Sequence, residues 1–415
     1  MKSLGLIGFG VSNKAVYDYF KDTYKITVHN ENAIPLPPFT DGVFGKDYLI
    51  CNEDMIFRSP SVKNRDVITC GQVLCEAIYA LNRINSTKIS VTGSDGKTTV
   101  CSLIHRILEN KNAFLGGNIG TPLINALGKN YSYVVSELSS FQLLDEEVYT
   151  DVAIITNITP NHLNYHRDMT EYIGAKESLL KNAKRIILNY DDSALRSIGK
   201  KYESERDVEY FSLKERCDAY CDNGYIYLKG KRLFPCDKIR LLGDFNISNV
   251  LASILATYKF TSLDRIENAA CSFEGVKNRL ECVKILNGVT FYNSSIDSTP
   301  SRTVATLSAF DTSKCVVILG GSDKNLSYDI LKEPLKNARC VLVLGENKNK
   351  IIEALKGCDV KIIVVNTLSE AVEIGYKNCL NGDSLILSPA SCSFDSYSNY
   401  LERAEAFKKH VNQLR

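Results

Sequence analysis

The chain has 415 residues, of which 44% are hydrophobic and 24% charged, with a formal net charge of +2. That balance excludes a disordered chain and lacks the basic excess of a nucleic-acid binder, and no apolar run reaches the roughly 18 residues of a membrane helix. The length predicts two or three globular domains, three being the better fit. A cytoplasmic protein without nucleic-acid partner or membrane insertion, acting as a monomer, is the expectation.

In chain order, short apolar strands open the sequence at Gly5–Gly8, Lys25–Val28, Asp47–Ile50 and Met55–Phe57, a small parallel α/β unit over residues 1–85. A second series restarts at Ile89–Thr92 and continues through Tyr133–Ser136, Val152–Thr156 and Arg185–Leu188, alternating with helix-length segments. A small β-meander is expected between Val208 and Ile239, closing a domain of residues 86–277. A third series, Gly288–Tyr292, Lys314–Leu319, Cys340–Leu344, Lys361–Val365 and Ser384–Leu387, fills residues 278–415. The fold class is α/β, three consecutive Rossmann-like domains with parallel sheets, the central one a phosphate-loop domain.

The 14 cysteines sit mostly singly in apolar segments, as Cys51, Cys101, Cys271, Cys315 and Cys340 do. Cys70/Cys75 and Cys217/Cys221 are the close pairs in sequence, and neither has the two-residue gap of zinc or redox motifs. They read as small buried hydrophobes.

Gly93-Ser94-Asp95-Gly96-Lys97-Thr98-Thr99 lies between an apolar strand and a helix-like run. Glycines let backbone amides turn toward phosphate, the helix N-terminus adds partial positive charge, and Lys97 supplies a cation, so ATP is the expected ligand. Thr98 offers a hydroxyl to Mg²⁺. Glu137 ends an apolar strand, where open parallel sheets face their ligand crevice, and is a second metal candidate. His162 and His166 share a loop at the end of the next strand, and one of them is a candidate ligand. The turn Gly5-x-x-Gly8-x-Gly10, with Glu31 about 20 residues on, invites a dinucleotide reading, but the third glycine falls at Asn13.

Together these motifs resemble the Mur ligases, ATP-dependent amino-acid-adding enzymes of peptidoglycan synthesis, most closely their D-glutamate-adding branch. Gly93 to Thr99 is similar to the family's ATP loop, Gly117 to Pro122 to its Gly-Asn-Ile-Gly segment, and Glu137 to Leu143 to its Glu-Leu-Ser-Ser-Phe-Gln-Leu. Asn157 to His166 resembles the loop with the metal histidine, and Lys176 the lysine carried as a carbamate. Asn246 and Asn249 fall in its Gly-x-His-Asn-x-x-Asn, Arg279 and Glu281 in Arg-x-Glu, Gly320 to Lys324 in Gly-Gly-x-Asp-Lys. Leu387 to Asp395 resembles the signature of the D-glutamate adder. Phe245, Asn161 and Asn278 depart from the pattern, as does Ser294, for which Asp297 nearby could supply the missing carboxylate.

The resemblance implies phosphorylation of the carboxylate of UDP-N-acetylmuramoyl-L-alanine by ATP and attack of D-glutamate on the acyl phosphate. It implies catalytic roles for Lys97, Lys176, His162 and Glu137, and two Mg²⁺ ions held by Thr98, Glu137, His162 and carbamylated Lys176. Nucleotide contacts would come from Gly93 to Thr99, Asn246, Arg279 and Ser294. Substrate contacts would come from Gly8, Gly10, Asn118, Ser139, Ser298, Lys324, Ser393, Phe394 and Tyr400. A nucleotide-binding protein without ligase activity is the alternative.

Overall fold

The computed structural model describes residues 2–162, 165–323 and 326–415. Its contacts divide the chain into two compact units, Met1–Arg240 with Phe245–Phe273, and Leu241–Asp244 with Glu274–Arg415.

The first unit carries two large sheets. One has the order Thr40–Phe44, Lys25–Asn30, Ser3–Ile7, Met55–Arg58, Gln72–Cys75, every pairing parallel. The expected strand at Asp47–Ile50 is not formed. After Thr40–Phe44 the chain turns at Gly45 (φ 82°) into a 3₁₀ turn, Gly45–Asp47. Tyr48 and Leu49 then pack on Ile7, Cys51 and Ile56, and only Ile50–Cys51 pairs, with Ile68–Thr69, in a two-stranded sheet.

The second sheet of this unit runs Lys231–Pro235, Tyr225–Leu228, Ala219–Asp222, Asp207–Ser212, Asn182–Asn189, Tyr149–Ile155, Thr87–Thr92, Tyr133–Glu137, Ala113–Gly117. Its first three strands form the expected antiparallel meander, and the rest pair in parallel. Ile89 to Thr92 is buried throughout, as a strand covered on both faces requires. The helix Lys97–Leu108 buries Val100, Leu103, Ile104, Ile107 and Leu108, the i, i+3, i+4, i+7 stripe that lays it on the sheet. From Thr87–Thr92 the chain crosses to one side for Ala113–Gly117 and Tyr133–Glu137 and to the other for Tyr149–Ile155. The order thus reverses at Thr92, where such sheets open a ligand crevice at their C-terminal edge.

The second unit holds a six-stranded sheet: Glu281–Leu286, Val289–Asn293, Ser384–Leu387, Cys315–Gly320, Cys340–Leu344, Ile362–Val364. The first pair is an antiparallel hairpin, closed by Asn287 and Gly288 at φ 50° and 76°, the two positive-φ positions of a tight turn. Phe291, Val316, Ile318, Leu342, Leu385 and Phe407 form part of one of its cores. The helix Tyr400–Gln413 starts at Asn399, whose side chain accepts from the Leu401 and Glu402 amides at 2.9 and 3.1 Å.

The cysteine reading holds in part. Cys51, Cys101, Cys315 and Cys340 are buried, but Cys271 is half-buried and Cys70 and Cys282 are exposed. The meander also brings Cys221 to Cys236, with sulfurs 3.1 Å apart, a pair 15 residues apart that sequence spacing hides. The dinucleotide reading fails at Asn13. Its buried amide donates to the carbonyls of Ile7 (3.0 Å), Gly8 (2.7 Å) and Phe57 (3.2 Å), tying the turn to two strand ends where the fingerprint needs a bare glycine.

Candidate active site

Gly93 leaves its strand at φ 149°, and a Cβ there would meet Thr156 Oγ1 at 1.9 Å. Gly96 is the left-handed residue before the helix Lys97–Leu108, and its Cβ would meet Asn249 Oδ1 at 2.4 Å. The loop is therefore wedged between the Thr156 strand end and the helix Asp244–Thr257, where Asn249 donates to Asn246 at 3.0 Å. Further bonds brace it: Asn157 accepts from the Asp95 amide at 2.9 Å, Thr156 donates to the Asp95 carbonyl at 2.5 Å, and Ser94 Oγ bonds Tyr172 OH at 2.8 Å. Thr99 is buried in the helix. No side chain caps this helix and its first turn holds no acid, so its amide donors keep their capacity for an anion.

Behind the loop, Glu137 is 2% exposed. Its two oxygens accept from Thr98 Oγ1 at 2.7 Å and Asn118 Nδ2 at 2.8 Å. A carboxylate beside a hydroxyl and an amide, next to an anion-receptive helix end, is an oxygen donor set that fits Mg²⁺. Lys97 Nζ donates to the carbonyls of Gly93 (2.8 Å) and Ser94 (2.9 Å). Lys176, on the helix Met169–Glu177 and 1% exposed, donates to the same Gly93 carbonyl at 2.8 Å and lies 4.6 Å from the Tyr172 ring centroid. Burial first, and the Lys97 charge second, hold its amine well below the ordinary lysine range. An uncharged amine with an available lone pair is the form that adds carbon dioxide, so the site also fits a carbamate.

The two histidines part company. His166 is buried, with Nε2 2.9 Å from Ser140 Oγ and Nδ1 3.5 Å from Glu171, and burial lowers its pKa. It holds the loop together. His162 is exposed at φ 57°, its ring edge-on to Phe141 at 4.9 Å. Phe141 belongs to the Glu137–Leu143 segment, so His162 stays near that strand end while remaining accessible. Ser139 caps the short helix after Glu137 in a reciprocal box with Gln142.

A cavity of about 220 Å³ is lined by Val11, Ser12, Pro60, Asn118, Pro122 and Gln142. Gly8 and Gly10 lie in the turn leading to it, Gly10 as the uncapped start of the helix Val11–Phe20. Two buried groups not singled out from sequence hold the first sheet against the second here. Arg58 donates to the carbonyls of Val62 (3.1 Å) and Phe141 (3.3 Å). Glu76 accepts from the Ile124 amide at 2.7 Å, and burial pushes its carboxyl up to about 7.

In the second unit Ser294 is enclosed, accepting from the Leu280 amide at 3.3 Å. Asp297, suggested as a substitute carboxylate, faces inward instead: it accepts from Thr306 and Ser388, each at 2.7 Å, and burial raises its pKa. Glu281 accepts from the Asn278 amide at 2.8 Å and lies 3.1 Å from Lys408, and Arg279 adjoins them in sequence. Lys324 lies outside the described residues. Of the signature, Ser393 is buried, with its carbonyl accepting from the Tyr397 amide at 2.8 Å, while Phe394 is 68% exposed; Tyr400 is partly exposed and Ser298 half-buried.

Sequence reasoning also passed over Arg403. Buried in the helix Tyr400–Gln413, it donates to Ser295 Oγ (3.0 Å) and to the carbonyls of Ser295 (2.9 Å), Ser391 (2.9 Å) and Cys392 (3.1 Å). Its four-residue spacing from Asn399 was visible, but a helical arginine reads as a solvated side chain.

Residues 91–257 match the Mur ligase middle domain. The chain is 36% identical to UDP-N-acetylmuramoylalanine--D-glutamate ligase of Ruminiclostridium cellulolyticum, with 100% of this chain and 97% of that protein covered. It is 35% identical to the protein of the same name from Clostridium botulinum strain 657, with the same coverage. Among solved structures, the fold matches UDP-N-acetylmuramate-alanine ligase MurC of Thermotoga maritima at TM-score 0.65 and 19% identity, covering 99% of both chains. It also matches MurF of the same organism in complex with ADP, at TM-score 0.62 and 16% identity, covering 99% of this chain and 95% of that one. With full-length identity at that level and the glycine loop, Glu137 and Lys176 converging on one sheet edge, the chain belongs to the Mur ligase family.

Proposed function

We propose that this chain is the ATP-dependent ligase that adds D-glutamate to UDP-N-acetylmuramoyl-L-alanine in cytoplasmic peptidoglycan precursor synthesis, acting as a monomer. The observation that carries the reading is the convergence of Lys97 and Lys176 on the Gly93 carbonyl, beside Glu137 held by Thr98 and Asn118. The end-to-end likeness to ligases of that name supports the choice of acceptor.

A carboxylate resists attack by an amine, and phosphorylation turns one of its oxygens into a leaving group. On this reading Lys97 leaves the loop carbonyls for the transferred phosphoryl group, while the amides of the helix start hold the neighbouring phosphates. Donors fixed where charge grows contribute about 3–4 kcal/mol each to such a step. Bound Mg²⁺ supplies positive charge to the phosphate oxygens. Thr98 and Glu137 are the residues to hold one ion, and His162 with carbamylated Lys176 a second. Asn246, Arg279 and Ser294 are the remaining nucleotide candidates, with Ser294 acting through the loop it braces. Asn118, Gly8, Gly10 and Ser139 belong to the UDP-substrate side. Lys324, Ser393, Phe394, Tyr400 and Ser298 belong to D-glutamate. Residues 1–85, 86–277 and 278–415 would serve as the substrate, ATP and amino-acid domains.

The test is release of phosphate from ATP by the purified chain. The expected result is release that requires UDP-N-acetylmuramoyl-L-alanine and D-glutamate together. Release with another amino acid instead would overturn the acceptor, and ATP binding without any release would leave a nucleotide-binding protein.

A further inference from the structure

Away from the phosphate loop, three metal-ligating side chains meet under the segment that covers the first sheet. His29 comes from the strand Lys25–Asn30, Cys51 from the short strand Ile50–Cys51, and Glu53 from the link that follows it. They are 1%, 1% and 9% exposed, set against the small apolar core of Ile7 and Ile56. Cys51 Sγ lies 3.6 Å from His29 Nδ1, and both Glu53 oxygens lie 3.2 Å from His29 Nε2. One ligand atom from each residue can be chosen so that all three fall within 4.8 Å of one another.

We propose that His29, Cys51 and Glu53 form a binding site for a thiophilic divalent cation of the zinc type, which pins the covering segment to the first sheet.

Three observations support it. Taken one ligand atom per residue, the three lie within 4.8 Å of one another, about an ångström beyond the roughly 3.3–3.6 Å edges of a tetrahedral site, so modest side-chain shifts close them on one ion. The 3.2 and 3.6 Å contacts fall on the two different ring nitrogens, so they are the hydrogen-bond spacings of the metal-free cluster, and on binding one nitrogen exchanges its present partner for the ion. Charge also matches: a thiolate and a carboxylate together neutralise a divalent cation, the condition under which burying it is tolerable. The three residues come from the sheet and from its cover, so one ion cross-links two layers that the meagre core of Ile7, Cys51 and Ile56 joins weakly. The His29 carbonyl accepts from the Gly8 amide at 2.7 Å, and Pro60 of the same cover lines the cavity beside Asn118. An ion here would therefore stiffen one wall of that cavity.

A catalytic thiol relay is the competing use of a thiol, an imidazole and a carboxylate in line. The buried Cys51 gives a substrate no approach. Burial first, and the Glu53 charge second, push its thiol up to about 12. A cation must therefore displace the thiol proton, and its affinity should rise with pH.

Titrating the full-length, reduced, chelator-stripped protein with Co²⁺ tests the proposal, because thiolate-to-cobalt charge-transfer absorption reports only a cysteine ligand. The candidate Mg²⁺ residues Thr98, Glu137, His162 and Lys176 include no thiol. The expected result is absorption that saturates at one equivalent and is displaced by Zn²⁺. It should be lost in Cys51→Ala, weakened at least tenfold in Glu53→Gln, and unchanged when Cys221 and Cys236 are both replaced by serine. Absence of the band, its survival in Cys51→Ala, or its loss on removing Cys221 and Cys236 would overturn the site. Should Cys51→Ala fail to fold, the intact protein still decides: one proton released per cation, with Zn²⁺ raising the melting temperature, is expected, and cation binding without proton release contradicts it.

Discussion

Lys176 in the first unit and Arg403 in the second are both nearly sealed from solvent, at 1% and 4% exposure, yet burial treats them differently. The lysine has one carbonyl acceptor, a neighbouring cation in Lys97 and the face of Tyr172, and its amine is held well below its usual range. The arginine has four acceptors spread around its planar fork, and although burial lowers its pKa to about 10 it remains charged at neutral pH. An amine that gives up its proton becomes a nucleophile and can be converted chemically. A guanidinium cannot be used that way, and instead fixes the backbone of the Ser391–Cys392 loop. Burial thus prepares a reactive group in one place and a rigid frame in the other.

The contrast is broken most severely at the reactive end. Lys97→Ala should lower ligation at least about a hundredfold, measured as substrate-dependent phosphate release, with the melting temperature close to that of the parent. Lys176→Ala should be comparably inactive and recover in part with added acetate or formate. Full activity of that variant without bicarbonate would mean that no carbamate is needed. Lys176→Arg should not be rescued, since it places a charge where burial favours none.

At the rigid end the effect is smaller and of another kind. Arg403→Lys loses the fork while keeping the charge, and should destabilise the protein by about 1–3 kcal/mol for the acceptors left unpaired. It should raise KM for D-glutamate more than KM for ATP, and equal changes in both would deny it a link to the signature loop. The smallest effect concerns Glu76, whose carboxyl is raised from 4.5 to about 7 by burial. The folded state then holds more protons than the unfolded chain between those values, so its contribution to stability is fully present below about pH 4.5 and is lost as pH rises toward 7. Glu76→Gln should flatten that slope in denaturant titrations and stabilise the protein by about 1–3 kcal/mol at pH 8, with little change at pH 4.5.

Much of the fold was legible because buried parallel strands are written as continuous apolar runs, and Cys315–Leu319 and Cys340–Leu344 both read that way. The segment Asp47–Ile50 misled because Tyr48 and Leu49 are apolar for a reason other than pairing: they seat a loop on Ile7 and Ile56. In the candidate site, Lys97 and Glu137 were legible from motif and position and Lys176 through the family resemblance alone, while their convergence on Gly93 and Thr98 was not legible. Thr156 and Asn157, which brace the loop, carry no signal in isolation, and Asp297 looked available only because burial cannot be read from one sequence. Arg403 was hidden for the opposite reason, since its type suggests water and its place is the interior.

The wedging of Gly93 against Thr156 and Gly96 against Asn249 sets the limits within which this loop could be redesigned. Neither glycine admits a methyl group, for want of both space and a permitted φ, whereas Asp95 between them points to solvent and touches the frame through its backbone. A library aimed at nucleotide preference therefore has one free letter in the turn. The two glycines stay fixed even where Thr156 or Asn249 is shortened, because their φ angles of 149° and 81° strain any L side chain whatever the space.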